Sequence, residues 1–369
     1  MFSPRVERCF VFALPLYMNK KIVYTIKIME KERAPRNRTL TLTNEERQKY
    51  KNLLVHAVNS VTPSQIVNKT LCGDLLTVVD KLPKGFVDLL VIDPPYNLDK
   101  DFDSKNGGIK FSKTDDEAYL TYLKNWFPKV IKTLKPTGSV YICGDWKSTF
   151  CLYQIMRDFT IVRNRITWQR EKGRGAKANW KNASEDIWFG TKSDEYYFDV
   201  EAVKQKRRVL APYREAGLPK DWEETKDGNF RLTCPGNFWD DISVPYWSMP
   251  ENTDHPTQKP EKLIAKLVLA SCPENGVVFD PFLGSGTTSV VAKKLNRKYL
   301  GIEMNEEYCC WAEKRLEAAN MDKDIQGYSS GVFWERNTLN LQMMETKQKL
   351  KKETLVEDID LFSSVAVSL

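Results

Sequence analysis

Phe86–Asp93 reads as a strand, whose nearly continuous apolar run Val87-Asp-Leu-Leu-Val-Ile92 stops at Asp93-Pro94-Pro95-Tyr96. Two successive prolines offer no N–H to a ladder, so the run must end there. A strand apolar at nearly every position is covered on both faces, the condition of an interior strand in a parallel sheet. The neighbouring sequence alternates accordingly. Lys69–Leu71 reads as a short strand. Tyr119, Leu120, Leu123, Phe127, Val130, Ile131 and Leu134 then recur at helical spacing, with a kink expected at Pro128. Pro136-Thr-Gly138 closes that helix before a strand at Ser139–Cys143. The expected fold class is therefore α/β.

Upstream, Thr43 and Glu46 have capping-box spacing and open a helix expected to run to about Ala57. Regular alternation also marks the far half of the chain. A helix is expected at Glu261–Ala270, a strand at Val277–Asp280, a loop at Pro281–Gly286, a helix from Thr287 to about Leu295, a strand at Tyr299–Glu303 and a last helix from Glu306 to about Ala319. Between Gly173 and Trp247 the alternation stops, and Arg174, Lys177, Lys181, Lys204, Lys206, Arg207 and Arg208 mix with Trp180, Trp222 and Trp239. The chain divides into an N-terminal extension (1–40), a first α/β half (41–172), an irregular insert (173–247), a second α/β half (248–321) and a peripheral tail (322–369). No internal repeats are visible.

Lys and Arg number 56 against 49 Asp and Glu, giving a net charge of +7, and 10 Trp, 15 Tyr and 17 Phe accompany them. This composition fits a globular protein with a nucleic-acid partner, although many basic proteins have none. The apolar run Cys9–Met18 is short of the roughly 20 residues a membrane span needs. With Arg5 and Arg8 before it the run imitates a secretory signal, but no small-residue cleavage site follows. Residues 1–29 read either as a poorly ordered extension or as translation from upstream of the true start, with Met18 and Met29 as candidate starts. Residues 30–38 read as a solvated charged arm. Eight scattered cysteines without a C-x-x-C pair read as reduced thiols of a cytoplasmic protein, and with His56 and His255 the only histidines, no metal site is expected.

Two motifs carry chemistry. Phe279-Asp-Pro-Phe-Leu-Gly-Ser-Gly-Thr-Thr288 joins an expected strand to an expected helix, and Glu303 closes the next strand. This is the layout of a Rossmann-type nucleoside site, in which Gly284 and Gly286 admit the ligand to the backbone and Glu303 takes both ribose hydroxyls. Ser289 holds the place of the third glycine in G-x-G-x-x-G. Acids flank the turn where a phosphate would want cations, so Asp280 and Phe282 suit a positively charged ligand, a sulfonium nucleoside rather than a dinucleotide. A lone Gly-x-Gly is as often a bare tight turn. The second motif, Asp93-Pro94-Pro95-Tyr96, stands where an α/β sheet places ligands. Asp93 and the Pro94 carbonyl can accept both hydrogens of an exocyclic amine while Tyr96 offers a ring for stacking. Holding both N–H bonds frees the nitrogen lone pair, delocalised in a purine amine, for in-line attack on a methyl group.

These two motifs together resemble the amino-group DNA methyltransferases that use S-adenosylmethionine. The Asp-Pro-Pro-Tyr motif precedes the glycine turn with a basic, aromatic segment between them, an order similar to the permuted β class of that family. His255-Pro-Thr-Gln-Lys-Pro-Glu-Lys-Leu263 is a third match. The resemblance covers roughly residues 65–320 and implies a Rossmann-like methyltransferase fold with circularly permuted motif order and an inserted target-recognition region. It implies Asp93, Pro94, Pro95 and Tyr96 as catalytic. It implies a cofactor site of Asp74 at the adenine ring, Thr257 and Lys259 at the methionine carboxylate, Asp280, Pro281, Phe282, Gly284, Ser285, Gly286 and Thr287 at the turn, and Glu303 at the ribose. His255 is expected to shape a helix entry rather than to bind metal.

Arg170, Lys172, Arg174, Lys177, Trp180 and Lys181 combine charge, glycine-rich surroundings and an indole, which suits contact with DNA phosphates or a displaced strand. The Lys204–Arg208 run is as readily a solvated face. The expected activity is N6 methylation of an adenine flipped from duplex DNA, within a bacterial or phage-type restriction-modification system or as a solitary enzyme. A cognate endonuclease is a conceivable partner, and monomer and homodimer are both open. Cytosine-N4 methylation is the nearest alternative, since the same geometry serves either amine. A non-catalytic DNA-binding regulator would have no reason to keep Asp93–Tyr96 intact, and a nicotinamide dehydrogenase leaves the proline pair unexplained. A cytosine carbon-5 methylase is excluded because no Pro-Cys dipeptide occurs.

Overall fold

The structure is a computed structural model, and it describes residues 11–18, 21–28, 33–57, 59–102, 109–170, 179–209, 213–225 and 228–336. An eight-stranded sheet forms the centre. Its strands are β1 (Lys69–Cys72), β2 (Val87–Ile92), β3 (Leu134–Gly144), β4 (Ile161–Gln169), β5 (Ser184–Thr191), β6 (Phe238–Trp239), β7 (Val277–Asp280) and β8 (Lys298–Glu303), in the order β6-β4-β5-β3-β2-β7-β8-β1. From β3 to β1 every pair is parallel, and β5 runs antiparallel to both of its neighbours. The central helices are α1 (Asn44–Lys51), α2 (Asp116–Ile131), α3 (Thr149–Phe159), α4 (Glu261–Ser271), α5 (Thr287–Lys294) and α6 (Glu306–Ala318).

Alternation along the strands assigns the two faces of the sheet. Leu89, Val91, Tyr141, Cys143 and Val278 pack with Leu263, Leu267 and Val268 of α4 and Val290 and Val291 of α5. Leu90, Ile92, Val140, Ile142, Phe279 and Leu300 pack with Leu123, Phe127 and Ile131 of α2 and Leu152 and Ile155 of α3. Helix, sheet and helix thus form three layers, the arrangement a doubly covered parallel sheet requires. The fold is the expected Rossmann-like α/β class, and Pro128 lies inside α2.

Several expected boundaries move. The Thr43–Glu46 capping box forms, but α1 ends at Lys51 because Val55 is drawn alongside β1, bonding to Thr70 and Cys72. Pro136-Thr-Gly138 lies within β3. The segment read as an insert contributes β5 to the interior of the sheet, where Glu185, Ile187 and Phe189 are buried, and β6 to its edge. Its irregular remainder carries the strands Gln205–Arg208, Glu223–Thr225 and Gly228–Thr233 of a separate small sheet.

The C-terminal segment is not wholly peripheral. Tyr328–Ser329 and Val332–Trp334 complete that small sheet, and Phe333 and Trp334 are buried. At the other end, Val11–Met18 and Lys21–Ile28 pair as an antiparallel hairpin. Residues 33–38 of the arm are mostly exposed, as a solvated arm would be, and are tethered where the Arg38 amide bonds to Trp247 and Arg33 pairs with Asp254 at 2.7 Å. Among the described residues no helix is long and apolar enough to cross a membrane. The described cysteines form no disulfide, and among the described residues no three His, Cys, Asp or Glu side chains gather as a metal would need.

Candidate active site

Parallel strands bring their carboxyl ends to one edge of the sheet, and there a cleft of about 300 Å³ opens. Gly73 and Asp74 follow β1, Asp93–Tyr96 follow β2, Asp145 follows β3, Pro281 and Phe282 follow β7, and Glu303 ends β8. β5 runs the other way, so its first residues reach the same edge and put Glu185 in the wall. β4 ends opposite, with Trp168 in register with Glu185 and Arg170 just beyond. Thr257, Lys259 and His255 complete the lining from the loop before α4.

The Asp93–Tyr96 turn is fixed from both ends. Tyr119 of α2 donates its hydroxyl to the Pro95 carbonyl at 3.0 Å. The Asn97 amide donates to Ser148 Oγ at 3.2 Å, and the Asn97 side chain is locked to Thr114. Within the turn, Tyr96 donates its hydroxyl to Asp93 Oδ1 at 2.8 Å. Lys259 Nζ lies 2.6 Å from Asp93 Oδ2, donates to the Tyr96 hydroxyl at 3.1 Å and lies 3.4 Å from Glu185 Oε2. Arg170 pairs with Glu185 Oε1.

Burial works against charge on Lys259, but Asp93 and Glu185 outweigh it and hold the ammonium above its ordinary pKa. Burial, with the same two carboxylates, pushes the Tyr96 phenol far above its usual value, so it stays a donor at any working pH.

The glycine turn forms the other wall. Gly284 and Gly286 have φ of +54° and +88°, a region that excludes most side chains. A β-carbon on Gly284 would meet His255 Nε2 at 3.0 Å, and His255 is itself wedged edge-on against Tyr308 with ring centroids 4.7 Å apart. Glu303 accepts the Gly284 and Asn305 amides at 2.9 and 2.8 Å, and burial raises its pKa against those two bonds. Phe282 packs edge-on against Trp126 at 4.9 Å, and Tyr122, Leu75, Leu76 and Ile302 continue the apolar wall.

The cleft gathers most of the residues expected from sequence: Asp74, Asp93, Pro94, Pro95, Tyr96, Thr257, Lys259, Pro281, Phe282, Gly284 and Glu303 all line it. Asp280, Ser285, Gly286 and Thr287 do not. Asp280 turns inward, accepting Thr288 Oγ1 at 2.6 Å and the Phe282 amide at 2.9 Å, and burial raises its pKa to about 7 against those bonds. Ser285 and Thr287 face the buried Arg315, which donates to the Ser285 carbonyl at 2.9 Å and to Thr287 Oγ1 at 3.0 Å. These four shape the turn from behind.

Lys259, expected at a donor's carboxylate, is engaged with the Asp93 carboxylate instead. Arg170, expected on DNA, is drawn into the wall by the buried Glu185 and packs over Trp168 at 5.8 Å. Trp180 is 95% exposed and Lys181 is exposed, while Lys172, Arg174 and Lys177 lie outside the described residues. The Lys204–Arg208 run is built into the small sheet, with Lys206 Nζ 4.6 Å from the Trp334 ring centre. Glu185 escaped the sequence reading; its only signal is an acid opening an otherwise apolar strand.

Among the described residues, five acids line the cleft (Asp74, Asp93, Asp145, Glu185 and Glu303) against two cations, Arg170 and Lys259, both already paired with acids. Such a lining repels polyphosphates and suits a cationic nucleoside, with an acid for ribose hydroxyls and aromatic walls for a base. A DNA methylase family profile matches residues 87–314. The type II methyltransferase M.HpaI of Haemophilus parainfluenzae is 31% identical over 71% of this chain and 76% of its own. The DNA adenine methyltransferase YhdJ of Escherichia coli (strain K12) is 36% identical over 67% of this chain and 82% of its own. Among solved structures, the PvuII DNA methyltransferase (cytosine-N4-specific) superposes with a TM-score of 0.52 at 19% identity, covering 72% of this chain and 90% of that one, a likeness of fold. The chain belongs to the DNA methylase family, and it is a DNA methyltransferase.

Proposed function

We propose that the protein transfers the methyl group of S-adenosylmethionine to the N6 amine of an adenine flipped out of duplex DNA at a specific site. The observation that carries this reading is the meeting of Asp93 and Glu303 in one cleft: an acceptor for an amine and an acid for a ribose share a cavity. In support of adenine stand Asp at the first position of the tetrapeptide, which in this family leans to adenine where Ser leans to cytosine, and the named activity of the Escherichia coli relative. The type II relatives favour a place in restriction and modification. The motif order is that of the β class.

The residues fit the donor. Positive φ at Gly284 leaves a cradle that a side chain would fill, Glu303 sits beside it, and Asp74 follows Gly73, whose amide bonds to the Glu303 carbonyl. When bound, S-adenosylmethionine supplies an electrophilic methyl group for attack by the amine. Lys259 holds Asp93 Oδ2 at 2.6 Å and so fixes the carboxylate in the orientation that presents it to the amine. The double proline makes the turn rigid, so Asp93 and the Pro94 carbonyl are held ready for the amine before it arrives. The Tyr96 ring offers a stacking face, and the flipped base leaves the helix because its amine cannot be reached inside the stack. Residues 192–237 with Trp180 and Lys181 are the proposed DNA-reading surface, narrowed from the 173–247 segment by the loss of β5 to the central sheet.

The test is incubation with labelled S-adenosylmethionine and unmodified duplex DNA, followed by digestion and separation of nucleosides. Label is expected in N6-methyladenine, with Asp93→Ala reducing transfer by at least about a hundredfold. Label in N4-methylcytosine would reverse the base assignment, and absence of transfer despite DNA binding would end the enzymatic reading.

A further inference from the structure

Both oxygens of Asp93 are occupied before any substrate arrives. Oδ2 holds Lys259 at 2.6 Å, and Oδ1 holds the Tyr96 hydroxyl at 2.8 Å. Each oxygen can accept a second donor, so an amine that donates to Asp93 either shares an oxygen with one of them or displaces it. Lys259 is a buried ammonium shared between two carboxylates, and uncoupling it would strand charge inside the protein. The Tyr96 hydroxyl needs only to redirect its hydrogen, and a second acceptor, Glu185 Oε2, already lies 3.3 Å from it. Arg170 engages the other Glu185 oxygen, so Oε2 is kept turned toward Tyr96. Glu185 is 1% exposed and sits on a strand that reaches this edge only by running antiparallel.

We propose that Glu185 is a positioning residue, receiving the Tyr96 hydroxyl when the target amine takes Asp93 Oδ1. The exchange leaves the Tyr96 ring in place as a stacking face and keeps Lys259 on Oδ2. It converts a self-satisfied turn into an amine acceptor by rotation of one O–H bond. The inference rests on the reading of Asp93 as the amine's acceptor, and it adds the place where the displaced hydroxyl goes.

A double-mutant cycle on the full chain tests it, using single-turnover methyl transfer to duplex DNA, with S-adenosylmethionine binding and thermal melting measured in parallel. Glu185→Met is expected to slow transfer about tenfold or more when Tyr96 is present, because the hydroxyl then competes with the amine for Asp93. In a Tyr96→Phe background there is no hydroxyl to relocate, and the same change is expected to cost less than about threefold. Glu185→Gln, whose amide oxygen still accepts, is expected to stay within about threefold of the unaltered protein, and donor affinity is expected to hold throughout. Equal losses in both backgrounds, or a Gln variant as slow as the Met variant, would overturn the proposal and assign Glu185 a purely ionic role. Should Glu185→Met fail to fold around an unpaired Arg170, the cycle is run with Arg170→Met in every member, which removes the ion pair as a unit. If the unaltered protein transfers no methyl, or Asp93→Ala transfers it normally, the underlying reading fails; additive losses with Asp93 still required sink this inference alone.

Discussion

A β-carbon at Gly286 would lie 2.5 Å from the Cβ of Ala312, and the residue already has φ +88° at the start of α5. Gly286→Ala therefore meets backbone strain and a clash with α6 together, and a loss of about 2–4 kcal/mol is expected in urea unfolding. Glu251 makes a second prediction. Burial, reinforced by the neighbouring Glu261, pushes its pKa up to about 7 from 4.5. The native state thus keeps a proton that the unfolded chain sheds near pH 4.5, so this group's stabilisation is complete below that pH and is lost as pH rises toward 7. Glu251→Gln should abolish its share of that decline, the variant gaining on the parent across this window and holding its advantage above it, as urea midpoints against pH would register. An unchanged gap between the two would refute the burial of that charge. At this scale the sequence was legible where chemistry is written in one contiguous motif, as at Asp93–Tyr96. It could not tell which side of the glycine turn each residue faces, and so gave no sign that the Ser285 carbonyl and Thr287 Oγ1 bond to Arg315. Glu185 stayed hidden because its partners Lys259 and Tyr96 are distant in the chain and only strand direction brings them together.

The helix α4 shows what single elements conceal. Every one of its residues is buried, Lys262 and Lys266 included, because Asp241 reaches both: Lys262 Nζ at 2.5 Å and Lys266 Nζ at 3.3 Å. Burial drives the Lys266 pKa down to about 8 even with Asp241 opposing it. Asp241→Asn strips the counter-charge from two enclosed ammoniums, and a cost of about 3–5 kcal/mol is expected, measurable by chemical denaturation. A loss under about 1 kcal/mol would mean that water reaches these amines. The strands and helices between Glu261 and Ala319 were placed within a residue by pattern alone, whereas α1, α2 and β3 were misplaced by three to six residues at one end or both. β5 was missed since Ser-Glu-Asp precedes its apolar part and the surrounding segment is basic and irregular, so its alternation of Glu185, Ile187 and Phe189 was lost in the noise of its neighbours.

The whole molecule is closed by residues that the sequence places outside it. Val332–Trp334 pairs in parallel with Gln205–Arg208, over a hundred residues away, and bury Phe333 at 0% and Trp334 at 2% exposure. Lys266 Nζ stands 5.5 Å from the Phe333 ring centre, and the Trp334 carbonyl accepts from Lys262, so this strand ties the irregular segment to the helix that covers the central sheet. No pattern announces such a strand: it is three residues long, and its partner is fixed only once the chain has folded. Its energetic weight is nonetheless large. Removing a buried Phe or Trp costs about 3–5 kcal/mol, and two of them approach the about 5–15 kcal/mol that holds a typical domain together. A chain ending at Asp324 is therefore expected to lose its cooperative thermal transition, and Phe333→Ala to keep one at a lower temperature. If the shortened chain instead melts where the full chain does, the strand is an appendage, and the coupling it provides between the proposed DNA-reading surface and the catalytic domain must be discarded with it.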